Sequence, residues 1–109
     1  KATWLRQRTK LLLLSKNHSI IKPYQVSDGG ISHTVVDPKR VFKAALEHNT
    51  SSLVLCHNHP SGNLNPSQAD IKLTQKLIQA SQTLDIQILD HIIVSNTGYY
   101  SFADEGKLK

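Results

Sequence analysis

The chain has few of the residues that build disulfide-linked or membrane-spanning proteins. Its 109 residues include one cysteine, no methionine and one tryptophan. A single cysteine excludes an internal disulfide and agrees with a reducing compartment. The longest unbroken hydrocarbon run, Leu11 to Leu14, is far shorter than the roughly 20 residues of a membrane-spanning helix, and no signal-peptide pattern opens the chain. We therefore expect a soluble, cytoplasmic protein with no membrane partner.

Acidic residues are missing from the start of the chain, where none occurs before Asp28. The net charge is +5, and Lys1, Arg6, Arg8 and Lys10 stand close together. A basic balance favours binding to phosphates, so nucleic acid is one candidate partner. The alternative is a solvated basic face, because no aromatic residues are interleaved with the basic ones as in single-strand binding surfaces.

A chain of this length is expected to form one domain, residues 1–109. Its apolar and charged fractions, 39% and 19%, are those of an ordinary globular protein. The chain starts at Lys1 and has no methionine, so we expect it to be the C-terminal domain of a longer protein.

The first half predicts a hairpin and then a helix. Two strands, at about 10–15 and 20–27, flank a polar turn, and Pro23 predicts that the second strand is either an edge strand or interrupted at this residue. Gly29-Gly30 should end that strand. Asp37 as N-cap and Pro38 at the first helical position predict a helix start, with Glu47 facing water.

The second half predicts a strand, a long helix and two further strands. Residues 51–57, "SSLVLCH", are nearly all apolar and predict the centre of the sheet. A helix should open at Asn65-Pro66, with Gln68 completing a capping box, and end near Leu84. "IQILDHIIV" and "YYSF" should be strands on either side of a turn at residues 96–98.

Two histidines and an aspartate stand where strand and helix meet. His57 and His59 are two apart on a strand, so their side chains share a face, with their backbones about 6.6 Å apart. Asp70 falls on the inward stripe of the following helix, where a lone charge is costly without a partner. Two imidazoles and a carboxylate form a zinc set that leaves one position open, as in catalytic sites. Such an ion lowers the pKa of its bound water toward about 7.

Ser67 lies one helical turn before Asp70, so its hydroxyl should stand over the same site and hold water or stabilise an oxyanion. The His-x-His pair alone fits two ordinary histidines at least as well as a metal site. The Pro-Ser-Gly turn and the Ser-x-x-Asp on a capped helix favour the metal.

Residues 57–70, "HNHPSGNLNPSQAD", match the metal motif of the JAB/MPN/JAMM metallopeptidases letter for letter. With "GGISHTVVDPKRVFKAAL", "LDHIIVS" and "GYYSFADEG", the chain resembles more narrowly the RadC branch, bacterial proteins long labelled DNA repair. The resemblance covers residues 20–108. It implies a cytidine-deaminase-like α/β fold, a mixed sheet between helices, with zinc on His57, His59 and Asp70, and Ser67 stabilising the transition state.

The resemblance also implies a glutamate on an early strand that takes the proton from water. No acid stands there, and the resemblance places Gln25 at or next to this position, where an amide cannot accept the proton. Asp28 is either an exposed turn carboxylate or a substitute base. Asp90, placed by alternation on one face with Ile88 and Ile92, either orients a ligand histidine or pairs within the core. Cys56 faces away from His57 and should be core packing.

Three functions remain open at this point. The first is a zinc-dependent hydrolase acting on a peptide or isopeptide bond of a peptide or protein substrate. The second is an interaction module that binds the metal without catalysis, because the glutamate is missing. The third is a DNA-repair-associated factor that contacts DNA, through the basic charge or through a part of the full-length protein outside this chain.

Overall fold

The computed structural model describes residues 8–27, 36–59 and 61–108, which form a mixed α/β fold of five strands and two helices. In chain order these are β1 (Thr9–Leu14), β2 (Ile20–Ser27), α1 (Pro38–Glu47), β3 (Ser52–Asn58), α2 (Gln68–Leu84), β4 (Gln87–Ser95) and β5 (Gly98–Ser101). The predicted Gly29-Gly30 turn, Asp28, the basic residues Lys1 and Arg6, and Pro60 of the motif lie outside the described residues.

The five strands form one mixed sheet in the order β2-β1-β3-β4-β5. β3 and β4 are parallel, because α2 connects them, and the other neighbouring pairs are antiparallel. The predicted hairpin is confirmed, and of the two alternatives that Pro23 left open, β2 is an edge strand and is not interrupted. β3 lies at the centre of the sheet, also as predicted.

An apolar core joins one face of the sheet to both helices. Leu11 pairs with Leu55 and Leu13 with Leu53 across β1 and β3, so these four side chains point to the same side. Because residues of both helices belong to the same cluster, α1 and α2 pack on that side. The buried members of the cluster are Leu11, Leu13, Val36, Val41, Phe42, Ala44, Ala45, Leu53, Leu55, Leu77, Ile86 and Ile88.

The start of α1 is capped as predicted. The Asp37 carboxylate accepts a hydrogen bond from the Lys39 N–H at 2.9 Å, and Pro38 occupies the first turn, where a missing N–H costs nothing. Glu47 is exposed and lies 3.9 Å from Lys43 one turn earlier. None of the described helices combines the length and hydropathy needed to cross a membrane.

The start of α2 differs from the prediction. Its N-cap is Ser67, not Asn65, and the capping box joins Ser67 to Asp70 rather than Asn65 to Gln68. The Ser67 hydroxyl accepts from the Asp70 N–H at 3.1 Å, and the Asp70 carboxylate accepts from the Ser67 N–H at 2.8 Å. This reciprocal pair satisfies two N–H groups that the helix leaves unbonded. The helix ends at Leu84, as predicted.

β4 contains one extra residue that changes which side chains face the core. Leu53 of β3 pairs with Ile88, but the next residue, Val54, pairs with Asp90, so Leu89 has no partner on β3. Beyond this bulge the alternation is reversed. His91 therefore shares the buried face with Ile88, and Asp90 does not. The prediction that Asp90 and Ile88 lie on one face is wrong for this reason.

Candidate metal centre

The site lies where the central strand ends and α2 begins. His57 is the penultimate residue of β3 and is 4% exposed, whereas His59 follows the strand directly. The backbone N–H of His59 donates to the carbonyl of Val94 at 3.0 Å, which ties this residue to β4. Asp70 stands in the first turn of α2 and is 7% exposed. The carboxyl ends of parallel strands next to a helix N-terminus are a frequent place for ligands in α/β folds.

The turn after β3 fixes the orientation of the His59 ring. The N–H of Gly62 donates to the His59 carbonyl at 3.0 Å, and Gly62 has a φ of +85°, a conformation that favours glycine. This turn brings the Asn63 carbonyl to 2.7 Å from His59 Nδ1. A carbonyl only accepts, so Nδ1 carries the proton. In a neutral ring the Nε2 atom then has a free lone pair.

Three potential ligand atoms converge at the predicted site. Nε2 of His57 lies 3.1 Å from Nε2 of His59. Each of these nitrogens also lies 3.1 Å from a carboxylate oxygen of Asp70, Oδ1 for His57 and Oδ2 for His59. Ligand atoms that bind one tetrahedral zinc ion at about 2.0–2.1 Å lie about 3.3 Å from one another. The spacing of the three groups therefore fits a zinc ion.

Asp70 is held as a carboxylate. Burial by itself raises the pKa of its side chain, but the hydrogen bond and charge of His57 and the N–H of Ser67 outweigh burial. The pKa of Asp70 is consequently well below its usual range. The position in the first turn of α2 adds the favourable field of the helix N-terminus. The Asp70 side chain thus offers a carboxylate to a cation, either a metal ion or a protonated histidine.

A third histidine lies behind His57. His91 Nε2 is 3.0 Å from His57 Nδ1, and His91 Nδ1 is 2.6 Å from the hydroxyl of Thr74 on α2. The pKa of His91 is lowered to about 3, mainly by burial and secondly by the nearby His57, so the ring is neutral near pH 7. The Phe102 ring stacks on His91 with centroids 4.6 Å apart.

His57, Asp70 and His91 offer nitrogen and oxygen atoms that all lie within 4.8 Å of one another, a spacing at which they could hold a metal ion. Both ring nitrogens of His91 are already within hydrogen-bond distance of Thr74 and His57, however. His59 directs Nε2 at the carboxylate instead. The donor chemistry therefore favours His59 over His91 as the third ligand.

A family model described as the RadC-like JAB domain matches residues 2–107, nearly the whole chain. The chain belongs to this family. It is 52% identical over 96 residues to a UPF0758 protein of Flavobacterium johnsoniae, which covers 88% of the chain and 42% of that relative. Over 103 residues it is 44% identical to the UPF0758 protein YfjY of Escherichia coli, covering 94% of the chain and 64% of the relative.

The UPF0758 protein tlr1707 of Thermosynechococcus vestitus is 40% identical over 98 residues, covering 90% of the chain and 39% of the relative. The chain therefore spans less than two thirds of the length of these curated relatives. The predicted RadC resemblance and JAB/MPN-type mixed α/β fold are confirmed.

Gln25 of this RadC-like JAB domain does not share the face of the sheet that carries the site. Gln25 pairs with Lys10, which pairs in turn with Cys56 on β3. Directly paired residues point to the same side, and Cys56 alternates with His57. Gln25 thus lies on the opposite side from the histidines. Of the acids that the structure describes, Asp70 is the one that contacts His57 and His59.

Cys56 and Asp90 take structural positions in this domain. Burial, partly offset by Lys10, raises the pKa of the half-buried Cys56 thiol, which disfavours the thiolate that a metal would need. Asp90 accepts hydrogen bonds from the N–H groups of His91 and Ala103 and from the Ser101 hydroxyl. Of the two roles that the sequence left open for Asp90, these contacts favour pairing within the fold. The next residue in the sequence, His91, is the one that contacts the predicted ligand His57.

Proposed function

We propose that this chain is a zinc-dependent hydrolase domain in which His57, His59 and Asp70 hold the ion and the substrate is a peptide or isopeptide bond. The observation that carries the proposal is the convergence of two imidazole nitrogens and a carboxylate at mutual spacings of 3.1 Å. A bare lone pair beside a carboxylate at this distance is unfavourable unless a cation or a proton lies between them.

A bound zinc ion would supply a Lewis acid that lowers the pKa of water and polarises a carbonyl group. The chain's own residues would do the rest. His57 and His59 supply neutral nitrogen ligands, and the Asp70 carboxylate offsets part of the charge of the ion. The Ser67 hydroxyl accepts a hydrogen bond from the Asp70 N–H, so the hydroxyl proton is available to donate to a developing oxyanion.

A metal-binding module without catalysis is the second candidate. It is supported by the absence of any acid in residues 1–27 and by the position of Gln25 on the opposite face of the sheet. Without a base near the ligands among residues 8–27, 36–59 and 61–108, removal of a proton from water would be inefficient. Zinc binding would be the same in both candidates, whereas hydrolysis separates them.

The test is zinc stoichiometry by mass spectrometry on the purified domain, followed by incubation with a peptide library and isopeptide-linked probes. The hydrolase predicts about one zinc per chain and cleavage that a chelator abolishes. Bound zinc with no cleavage of any probe favours the module. If the site holds no zinc, a protonated histidine paired with Asp70 is the better description and both candidates fail.

Replacing Ser67 with alanine should separate its roles. Zinc content should be retained, because Ser67 contributes no ligand atom. The free energy of unfolding should fall by about 1 kcal/mol, since the N-cap is lost, and cleavage of any substrate that the wild type hydrolyses should slow by about 100-fold.

The matched control is Ser67→Thr, which keeps both the hydroxyl and the cap and should stay close to wild type. Unchanged cleavage in Ser67→Ala would remove Ser67 from the chemistry, and loss of zinc would make its role one of holding Asp70 in place.

DNA association, a cytoplasmic location and membership in a longer protein remain predictions. The first rests on the net charge of +5. A DNA titration of this domain at two salt concentrations tests it, because binding through phosphates weakens steeply as salt rises.

A further inference from the structure

A line of polar contacts runs from the backbone of α2 through two buried side chains to the predicted ligand His57. The Thr74 hydroxyl lies 2.9 Å from the carbonyl of Asp70, one turn earlier on the same helix, and 2.6 Å from His91 Nδ1. His91 Nε2 is in turn 3.0 Å from His57 Nδ1. Thr74 is 2% exposed and His91 fully buried, so water does not compete for these contacts.

The number of available protons sets the direction of each hydrogen bond in this line. The Thr74 hydroxyl has one proton, which it donates to the Asp70 carbonyl, an atom that can only accept. Thr74 therefore accepts from Nδ1–H of His91. A second proton on His91 would create a cation in a buried position where the described residues place no carboxylate within hydrogen-bond distance of the ring, which is costly. Nε2 of His91 is thus an acceptor, and His57 must donate to it from Nδ1–H.

We propose that Thr74 and His91 are positioning residues that hold His57 in its Nδ1–H tautomer and so turn the free lone pair of Nε2 toward Asp70 and His59. The inference rests on the proposed zinc site and extends it to two residues outside the predicted ligand set. The opposite tautomer of His57 would place a proton on Nε2, at the point where an ion has to bind.

The surroundings of His91 support a fixed orientation of its ring. The Phe102 ring stacks on it nearly parallel, with an angle of 6° between the two planes. The turn that carries Phe102 is held by Asp90, which accepts from the N–H groups of both His91 and Ala103. Asp90 and His91 therefore act together although they point to opposite faces of the sheet.

Thr74 offers a matched pair of substitutions for the test. Thr74→Val keeps the shape of the side chain and removes the hydroxyl, whereas Thr74→Ser keeps the hydroxyl. Without the hydroxyl, Nδ1–H of His91 has no acceptor, and the ring should change to its Nε2–H tautomer, which donates to His57 and forces a proton onto His57 Nε2. Zinc affinity of Thr74→Val should fall about 10–100-fold, the usual effect of losing a partner that orients a ligand, and Thr74→Ser should bind close to wild type.

The experiment has two readouts, zinc affinity by competition with a fluorescent chelator and histidine tautomers by ¹⁵N NMR of the metal-free protein. Wild type and Thr74→Ser should show His57 and His91 protonated at Nδ1, and Thr74→Val should show both protonated at Nε2. Equal zinc affinity of all three proteins, or Nε2–H tautomers already in the wild type, would overturn the inference. A wild type that shows the expected tautomers but binds no zinc would instead refute the proposed function and leave the hydrogen-bonded line intact.

Discussion

Replacing Asp70 with alanine should reduce the zinc content of the purified domain from about one ion per chain to background. Asp70 provides the negative charge among the three predicted ligands, and its oxygens lie 3.1 Å from both histidine nitrogens. Two neutral imidazoles remain in the variant, and they leave the charge of the ion uncompensated. The loss of affinity should therefore exceed the about 10–100-fold expected for an outer partner.

The capping role of Asp70 requires a second variant. Asp70→Ala also removes the acceptor for the Ser67 N–H, so part of its effect could come from a loosened α2. Asp70→Asn keeps an oxygen for that N–H and removes the charge, and it should lose zinc as well. Asp104→Ala, an exposed acid, should retain zinc. Zinc content in Asp70→Ala equal to that in Asp104→Ala would contradict the site.

The second large effect is on stability, and it concerns Leu77. This side chain of α2 is fully buried and belongs to the same apolar core as the leucines of β1 and β3. Leu77→Ala should lower the free energy of unfolding by about 2–5 kcal/mol, because the lost burial is accompanied by a cavity that close packing cannot fill. That is a large part of the roughly 5–15 kcal/mol by which domains are stable.

Leu46→Ala is the control, since Leu46 is 54% exposed on α1. It should change the unfolding free energy by no more than about 0.5 kcal/mol. Urea denaturation of the metal-free proteins gives the comparison, because bound zinc would add its own stabilisation to the folded state. Equal losses in the two variants would show that the core is not organised around Leu77.

The sequence predicted the elements whose signals are local. The cap at Asp37, the edge strand with Pro23 and the apolar central strand each carry their cause within a few residues. The motif also predicted which side chains would meet at the junction of β3 and α2. Their convergence is a feature of the structure, and their binding of zinc remains a prediction.

The parts that could not be predicted depend on contacts between distant segments. Two alternative capping boxes overlap in this stretch. The local sequence favours the one that begins at Asn65, but the box that forms is the one whose carboxylate also faces the histidines. Thr74 and His91 are 17 residues apart in the chain. A threonine on a helix or a histidine in a strand gives no sign of such a partner.

The orientation of the side chains at the site depends on the one extra residue in β4. The extra residue, Leu89, reverses which side of the sheet the following side chains face. His91 therefore points toward His57, and Asp90 points to the other side, where it accepts hydrogen bonds from the N–H groups of His91 and Ala103. In a regular strand of the same length every chemical group of the centre would remain, yet the orientations of Asp90 and His91 would be exchanged. A change of loop length on the surface has no comparable consequence, since loops absorb it without inverting a strand.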